Sequence, residues 1–264
     1  MAAADHVARV PTPVATAQRV LWLRVAIIGT ILLAWEALAA SGLLFRDVVP
    51  SLAAIGRALA QVLSNADFYA NLGVTLWEIS LALAIGGVAG LTVGIVLGAN
   101  PFLARAYESF FYYLGPTPKI IFFPVMIMWF GVGSGSKIAL GVLSCFFPIV
   151  ISVAAGMRQI DPVLIRVGRS FRASAWQMAT RIYMPAMRQP IVNGVRLGLG
   201  VAIIGTLLAE TKLSNRGVGY LIIQSYATFD MPRMYALLIV LFVLSIGANA
   251  VIGRFAGTGA PKAG

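Results

Sequence analysis

Long apolar runs recur along the chain, and shorter polar or mixed segments separate them. They predict six helical spans, over 22–41, 74–97, 109–130, 137–156, 190–209 and 234–253. A helix rises 1.5 Å per residue, so about 20 apolar residues cross a hydrocarbon core of about 30 Å. The segments between the spans are patterned too. In "SLAAIGRALAQVL", Leu52, Ile55, Leu59 and Leu63 fall near one helical face, with Ser51 placed to cap the start. This predicts a short helix lying on the outer membrane surface. Residues 214–227, "SNRGVGYLIIQSYA", are too short to span and too apolar for open water. They read as a second short helix, tucked between spans at the outer mouth.

Two of the predicted spans carry marked patterns. Gly86, Gly90, Gly94 and Gly98 repeat every four residues in the second, and Gly194 and Gly198 do so in the fifth. Small residues on one helical face let helix backbones approach closely in lipid. The third span contains Pro116, Pro118 and Pro124. Each removes a backbone donor and opposes straight helix. Broken backbone at membrane depth faces either protein or a watery cavity, so packing and pathway-lining roles are both open there.

One segment departs from the greasy pattern. Between Met157 and Gln189 the chain carries six arginines and one acid. Asp161-Pro162 is a helix start, since Asp caps and Pro suits the first helical position. Val163, Leu164, Val167 and Phe171 cluster on one face, with Arg166, Arg169 and Arg172 across from them. Ser174 and Gln177 have capping-box spacing, which predicts a second helix from about Ala175 to Tyr183, stopped by Pro185. The two helices meet near Arg172 and Ala173, with Phe171 and Trp176 beside the turn. An amphipathic loop resting on lipid headgroups is one reading. A docking element is the other, because aromatics and arginine are common interface anchors.

Composition narrows the class. The 264 residues are 59% hydrophobic and 11% charged, with mean hydropathy +0.89. Soluble domains carry about 25% charged residues. An integral membrane protein accounts for this, and also for the net charge of +11, because cytoplasmic segments collect Lys and Arg. Neither zinc-finger spacing nor a solvated basic domain points to nucleic acid. One Cys and one His exclude an intrachain disulfide and argue against a His/Cys metal site. Val25–Trp35 followed by "ALA" also fits a signal peptide, although the run continues past Glu36 as a first span would.

Charge sets the expected orientation. With the N-terminus inside, twelve basic residues fall on cytoplasmic segments: Arg9, Arg19, Arg24, Arg105, the six loop arginines, Arg254 and Lys262. Six fall outside: Arg46, Arg57, Lys137, Lys212, Arg216 and Arg233. The bias favours both termini in the cytoplasm. The expected divisions are a cytoplasmic tail over 1–21, a transmembrane domain over 22–255 with its cytoplasmic loop at 157–189, and a second tail over 256–264.

Here the chain resembles the membrane-spanning permease subunits of bacterial ABC importers, of the binding-protein-dependent type I class. That family's cytoplasmic loop carries E-A-A, then a Gly, then I-x-L-P. Ile182, Met184 and Pro185 occupy I-x-L-P, with Met for Leu. The family's Gly falls on Arg172, and its Glu-Ala-Ala on Arg166, Val167 and Gly168, so both positions depart from the pattern. The loop "VGRSFRASAW" looks most like the nitrate/sulfonate/taurine branch. "PKIIFFPVMIMWFGVGSGSK" at 118–137, "FFPIVISVAAGM" at 146–157, "GVRLGLGVA" at 194–202, "AE" at 209–210 and "GVGYLI" at 217–222 follow in the family's order. The resemblance covers roughly residues 45 to 255.

The resemblance implies an all-α membrane fold and a location in the bacterial inner membrane. It implies a second permease copy, two cytoplasmic ATPase subunits and an external binding protein as partners. Docking to the ATPase would fall to Arg169, Ser170, Phe171, Arg172, Ala173, Ser174 and Trp176. No cofactor is expected on this chain; ATP and Mg belong to the ATPase. The nearest imitation of a P-loop, "GVGSGSKI" at 131–138, has Ser136 where Gly belongs and Ile138 where Ser or Thr belongs, so catalysis by this chain is not expected.

Candidate pathway residues are Pro116, Pro118, Lys119, Met126, Trp129 and Glu210. A charge within a span is costly and faces protein or water. Lys119 could attract an anionic substrate, or its stem could carry the ammonium to the cytoplasmic surface. Glu210 could pair with Lys212 or Arg216, or shape an outer gate. Glu36 and Glu78 are expected to find polar partners. Two rival functions are an ion-driven secondary transporter, which should show internal repeats, and a non-transporting membrane scaffold, which needs no proline-broken span.

Overall fold

The computed structural model describes residues 13–42 and 48–255, and they are helical with short connections. In chain order the helices are α1 (Pro13–Ser41), α2 (Leu52–Ser64), α3 (Ala66–Ala99), α4 (Pro101–Leu114), α5 (Phe123–Phe130) and α6 (Ser134–Arg158). They continue with α7 (Pro162–Ser170), α8 (Ala175–Met178), α9 (Met184–Lys212), α10 (Val218–Ala227) and α11 (Met231–Phe255). Five helices are long and apolar enough to cross a membrane, or six spans if the bent pair α4–α5 counts as one.

The six spans fall where the apolar runs place them, with three corrections. First, α1 begins at Pro13 rather than near residue 22. The segment before the apolar run contains Ala, Gln and Arg, which are good helix formers, so helix extends into the expected tail. Arg9, Arg46, Lys262 and the 256–264 tail lie outside the described residues. Second, the third span is not one straight helix over 109–130. Its two arms meet at 91°. Third, Pro185 does not stop the second loop helix. Residues 179–183 form a π turn, in which Met184 N–H reaches back to Ala179 O. A wider turn accommodates a proline whose N–H is missing, and the helix runs on into α9.

α6 is the central post, packed between α3 and α9. Cys145, Ile149 and Val153 on it are fully buried. The glycine stripe of α3 sets the spacing. A Cβ at Gly90 would stand 2.9 Å from Ile149 Cβ, and one at Gly94 2.7 Å from Val153 Cβ. Real Cβ atoms do not approach so closely, so each of these positions requires a bare Cα. Gly198 meets the same Ile149 from α9, where a Cβ would lie 2.6 Å from Ile149 Cδ1. Ile149 is therefore a wedge held between two glycines.

α2 and α10 lie at the far end of the bundle, away from α7 and α8, and pack with the start of α11. Ala58 and Val62 of α2, Val218 and Leu221 of α10, and Ala236 and Leu237 of α11 make one buried apolar cluster. α2 starts as expected, with Ser51 Oγ accepting from Ala54 N–H at 3.3 Å. α1 stands largely exposed beside this assembly. Its C-terminal half is tied in by Trp35, which donates to Pro50 O at 3.0 Å and meets Tyr235 edge to face. Glu36 Oε2 accepts the Leu52 N–H at 2.9 Å, at the first residue of α2.

Candidate functional sites

The basic loop has the expected two helices and a tight joint. Asp161 Oδ1 accepts from Val163 N–H at 2.8 Å and opens α7, with Pro162 at its first position. Ser174 and Gln177 bond reciprocally: Ser174 N–H to Gln177 Oε1 at 2.8 Å and Gln177 N–H to Ser174 Oγ at 3.2 Å. Between them, α7 ends in a Schellman turn. Ala173 N–H reaches Gly168 O at 3.0 Å, and Arg172 N–H reaches Arg169 O at 2.9 Å. That motif needs a left-handed residue just past the helix, usually Gly. Arg172 fills it with φ 51°, at a cost of roughly 1–2 kcal/mol.

The joint presents its side chains outward. Phe171 is 82% exposed and Trp176 77%. Arg169, Ser170, Arg172 and Ser174 are also exposed, and Ala173 is half-buried. Behind them the two helices touch: a Cβ at Gly168 would meet Ile182 Cδ1 at 2.4 Å and Met178 Sδ at 2.5 Å. Ile182, Met184 and Pro185 belong to the π turn and the start of α9. The I-x-M-P segment thus builds the hinge behind the joint.

The bend in the third span is sealed by a lysine. The Lys119 ammonium donates to Leu114 O at 3.3 Å, Gly115 O at 2.5 Å and Thr117 O at 3.1 Å. It also lies 5.2 Å from the Phe147 ring centroid. An ammonium has three donors, and these contacts use them on carbonyls that the break leaves without helical partners. Lys137 repeats the device at the other arm, donating to Val132 O and to Gly133 O just past α5.

The pathway candidates separate into three places. Pro116, Pro118 and Lys119 border a cavity of about 370 Å³, with Ser144 and Pro148 of α6 and Val201 and Ile204 of α9 opposite. Met126 and Trp129 border a different, wholly apolar groove of about 520 Å³, shared with Ile85, Val142 and Phe146. Glu210 belongs to neither. It is fully buried at the start of α10, where Oε2 accepts Gly219 N–H at 2.6 Å and Oε1 accepts the Thr75 hydroxyl at 2.7 Å. Thr75 in turn accepts Val218 N–H at 2.8 Å, and Asn71 Oδ1 accepts Gly217 N–H at 2.8 Å. A helix leaves its first N–H groups without partners. Three side chains from two spans serve those of α10, and the carboxylate also complements the positive end of its dipole.

Sequence reading missed this arrangement. Of the two expectations for Glu210, pairing with Lys212 or Arg216 is not what the structure has: its hydrogen-bond partners are a threonine on α3 and a backbone amide. Glu78 and Lys137 are buried in the same region, and Glu78 Oε2 has no hydrogen-bond partner among the described residues. The available signal was the burial implied for an acid late in an apolar run, followed by "RGVG" with its bare N–H groups. A partner 135 positions away in the sequence leaves no local pattern.

Comparison with known proteins agrees with this architecture. The chain is 26% identical over 224 residues to the aliphatic sulfonates transport permease SsuC of Bacillus subtilis, covering 84% of this chain and 81% of that one. It is 31% identical over 195 residues to the taurine transport system permease TauC of Escherichia coli, covering 72% and 70%. Other relatives are named for nitrate import and for riboflavin transport. The fold matches the inward-facing MetNI methionine ABC transporter with a TM-score of 0.62 at 21% identity, over 69% of this chain and 91% of that one. Residues 86–257 match the family described as the binding-protein-dependent transport system inner membrane component. The chain therefore belongs to that family, as a non-enzymatic ABC-importer permease subunit of the nitrate/sulfonate/taurine branch with the type I fold.

Proposed function

We propose that two copies of this permease enclose a pathway for a small oxyanion, and that the joint at Phe171–Trp176 seats in a cytoplasmic ATPase. Each ATPase binds ATP and Mg, and an external binding protein delivers the solute. The exposed pair Phe171 and Trp176, held on a capped and rigid turn, carries the docking reading. Arg169, Ser170, Arg172, Ala173 and Ser174 complete the contact. Both termini lie in the cytoplasm, which puts the basic loop beside the ATPases and α2 and α10 at the outer face.

The cavity at Pro116, Pro118 and Lys119 is this copy's share of the pathway. Met126 and Trp129, on the separate apolar groove, line another stretch of that pathway, and Glu210 holds the outer end in shape. Sulfonate, taurine and nitrate in the relatives' names support an oxyanion cargo. Reconstitution tests the reading. Proteoliposomes containing the permease, its ATPase and the binding protein should take up solute only with ATP. Uptake that persists without ATP and ATPase would overturn it in favour of gradient-driven transport.

A further inference from the structure

We infer that Arg196, Asn193 and Asn249 form an oxyanion site in the groove between α9 and α11. Arg196 lies within a membrane-spanning helix and is exposed on its surface. Its Nε donates to Asn249 Oδ1 at 3.1 Å. Its guanidinium lies over Gly253, where a Cβ would be 3.8 Å from both Cζ and Nη1. The side chain is thus oriented by a hydrogen bond to Asn249, with open backbone beneath its guanidinium. Asn193, Arg196, Leu197 and Asn249 line a cavity of about 390 Å³ there.

The chemistry of the lining is one-sided. The terminal guanidinium nitrogens and the Asn193 amide have no hydrogen-bond partner among the described residues. Because Asn249 Oδ1 faces Arg196, its NH₂ group points elsewhere as a further donor. No carboxylate is paired with Arg196 among the described residues. A planar fork of N–H groups beside the Asn193 amide, oriented by the Asn249 oxygen, suits a tetrahedral or planar oxyanion. An unpaired charge at membrane depth is costly and marks function.

Depth admits two sources of that oxyanion. Arg196 is 16 residues before Lys212, about 24 Å along the helix, so it lies toward the loop-side boundary of a core about 30 Å thick. A phospholipid headgroup phosphate reaches that level, and basic pockets between spans bind such groups. A transported sulfonate or nitrate reaches it from the pathway; only this second source rests on the transport reading above.

The test uses the full permease–ATPase complex as wild type, Arg196→Gln and Arg196→Lys. One arm measures phosphatidylglycerol retained from mixed phosphatidylglycerol–phosphatidylcholine vesicles, by native mass spectrometry. The other measures equilibrium binding of methanesulfonate and sulfate in phosphatidylcholine alone. Arg196→Gln should lose about tenfold or more in at least one arm, and Arg196→Lys should keep part of it. Loss in the first arm assigns the site to lipid, and loss in the second to cargo. Gly253→Leu keeps the arginine but covers it, and should show the same loss if Arg196→Gln fails to fold. Unchanged binding in both arms overturns the site. The same result beside intact ATP-driven uptake leaves the transport reading standing.

Discussion

The Thr75 hydroxyl donates to Glu210 Oε1 at 2.7 Å across 135 positions of sequence, and both side chains are almost wholly buried. Through this bond α3 and α9 hold the start of α10 together. Glu210→Ala leaves the Thr75 hydroxyl and the Gly219 N–H unpaired in a dry site, at about 1–3 kcal/mol each. The purified variant should melt several degrees lower than the wild type. Glu210→Gln keeps an acceptor facing Thr75 and should fall between them. Equal melting temperatures for all three would remove the pin from the account.

The glycine stripe makes a paired prediction. Gly94→Ala forces its Cβ to within 2.9 Å of Val150 O, which is backbone and yields little. Overpacking of this kind costs about 1–3 kcal/mol. Gly87→Ala, one residue past Gly86 of the stripe on the same helix, meets nothing within 4 Å. It should leave stability unchanged or raise it by up to about 1 kcal/mol, because Ala is the better helix former. Thermal unfolding of the two variants in one detergent checks the contrast.

The sequence carried the spans, the two surface helices, the proline break and both caps of the basic loop, because each rests on local spacing. Ser174 and Gln177 are three residues apart, and a capping box needs nothing more. The 91° bend did not follow from Pro116 and Pro118 alone. Prolines say that helix ends, while their spacing does not say at what angle the next arm begins. Pro185 misled for a related reason. It forbids an ordinary helical bond, but a π turn over 179–183 supplies another route, and no residue pattern announces that turn. Around Glu210 the sequence offers Lys212 and Arg216, but the hydroxyl it meets is that of Thr75 on another helix.

Arg172 separates strain from contact. Arg172→Gly relieves the left-handed conformation and should stabilise the isolated subunit by roughly 1 kcal/mol. Affinity for the ATPase, measured by titration in detergent, should nevertheless fall if the guanidinium touches it. Undiminished affinity would limit Arg172 to shaping the turn. Phe171→Asp should weaken the same association by about tenfold or more while leaving the melting temperature in place, since Phe171 is 82% exposed. Full affinity with Asp at 171 would move the contact away from the joint.

Lys119 has two opposed expectations. As the seal of the bend, its replacement in Lys119→Met takes a donor from three carbonyls, of which Leu114 O keeps the Thr117 N–H, and should lower the melting temperature, with Lys119→Arg restoring part. As an attractor of cargo, Lys119→Met would raise the KM for uptake and leave melting alone. Its three donated hydrogen bonds favour the first outcome, and measuring both quantities on one preparation decides.

The wide turn at 179–183 has a mechanical consequence. Because Pro185 does not end the helix, Trp176 and Glu210 stand on one uninterrupted rod, 34 residues or about 50 Å apart. One end carries the exposed indole and the other grips the N-terminus of α10. A push on the indole would travel the length of this rod without crossing a loop, with the π turn and Pro190 as the compliant places in its path. Stroke at one face and release at the other become two readings of the same displacement.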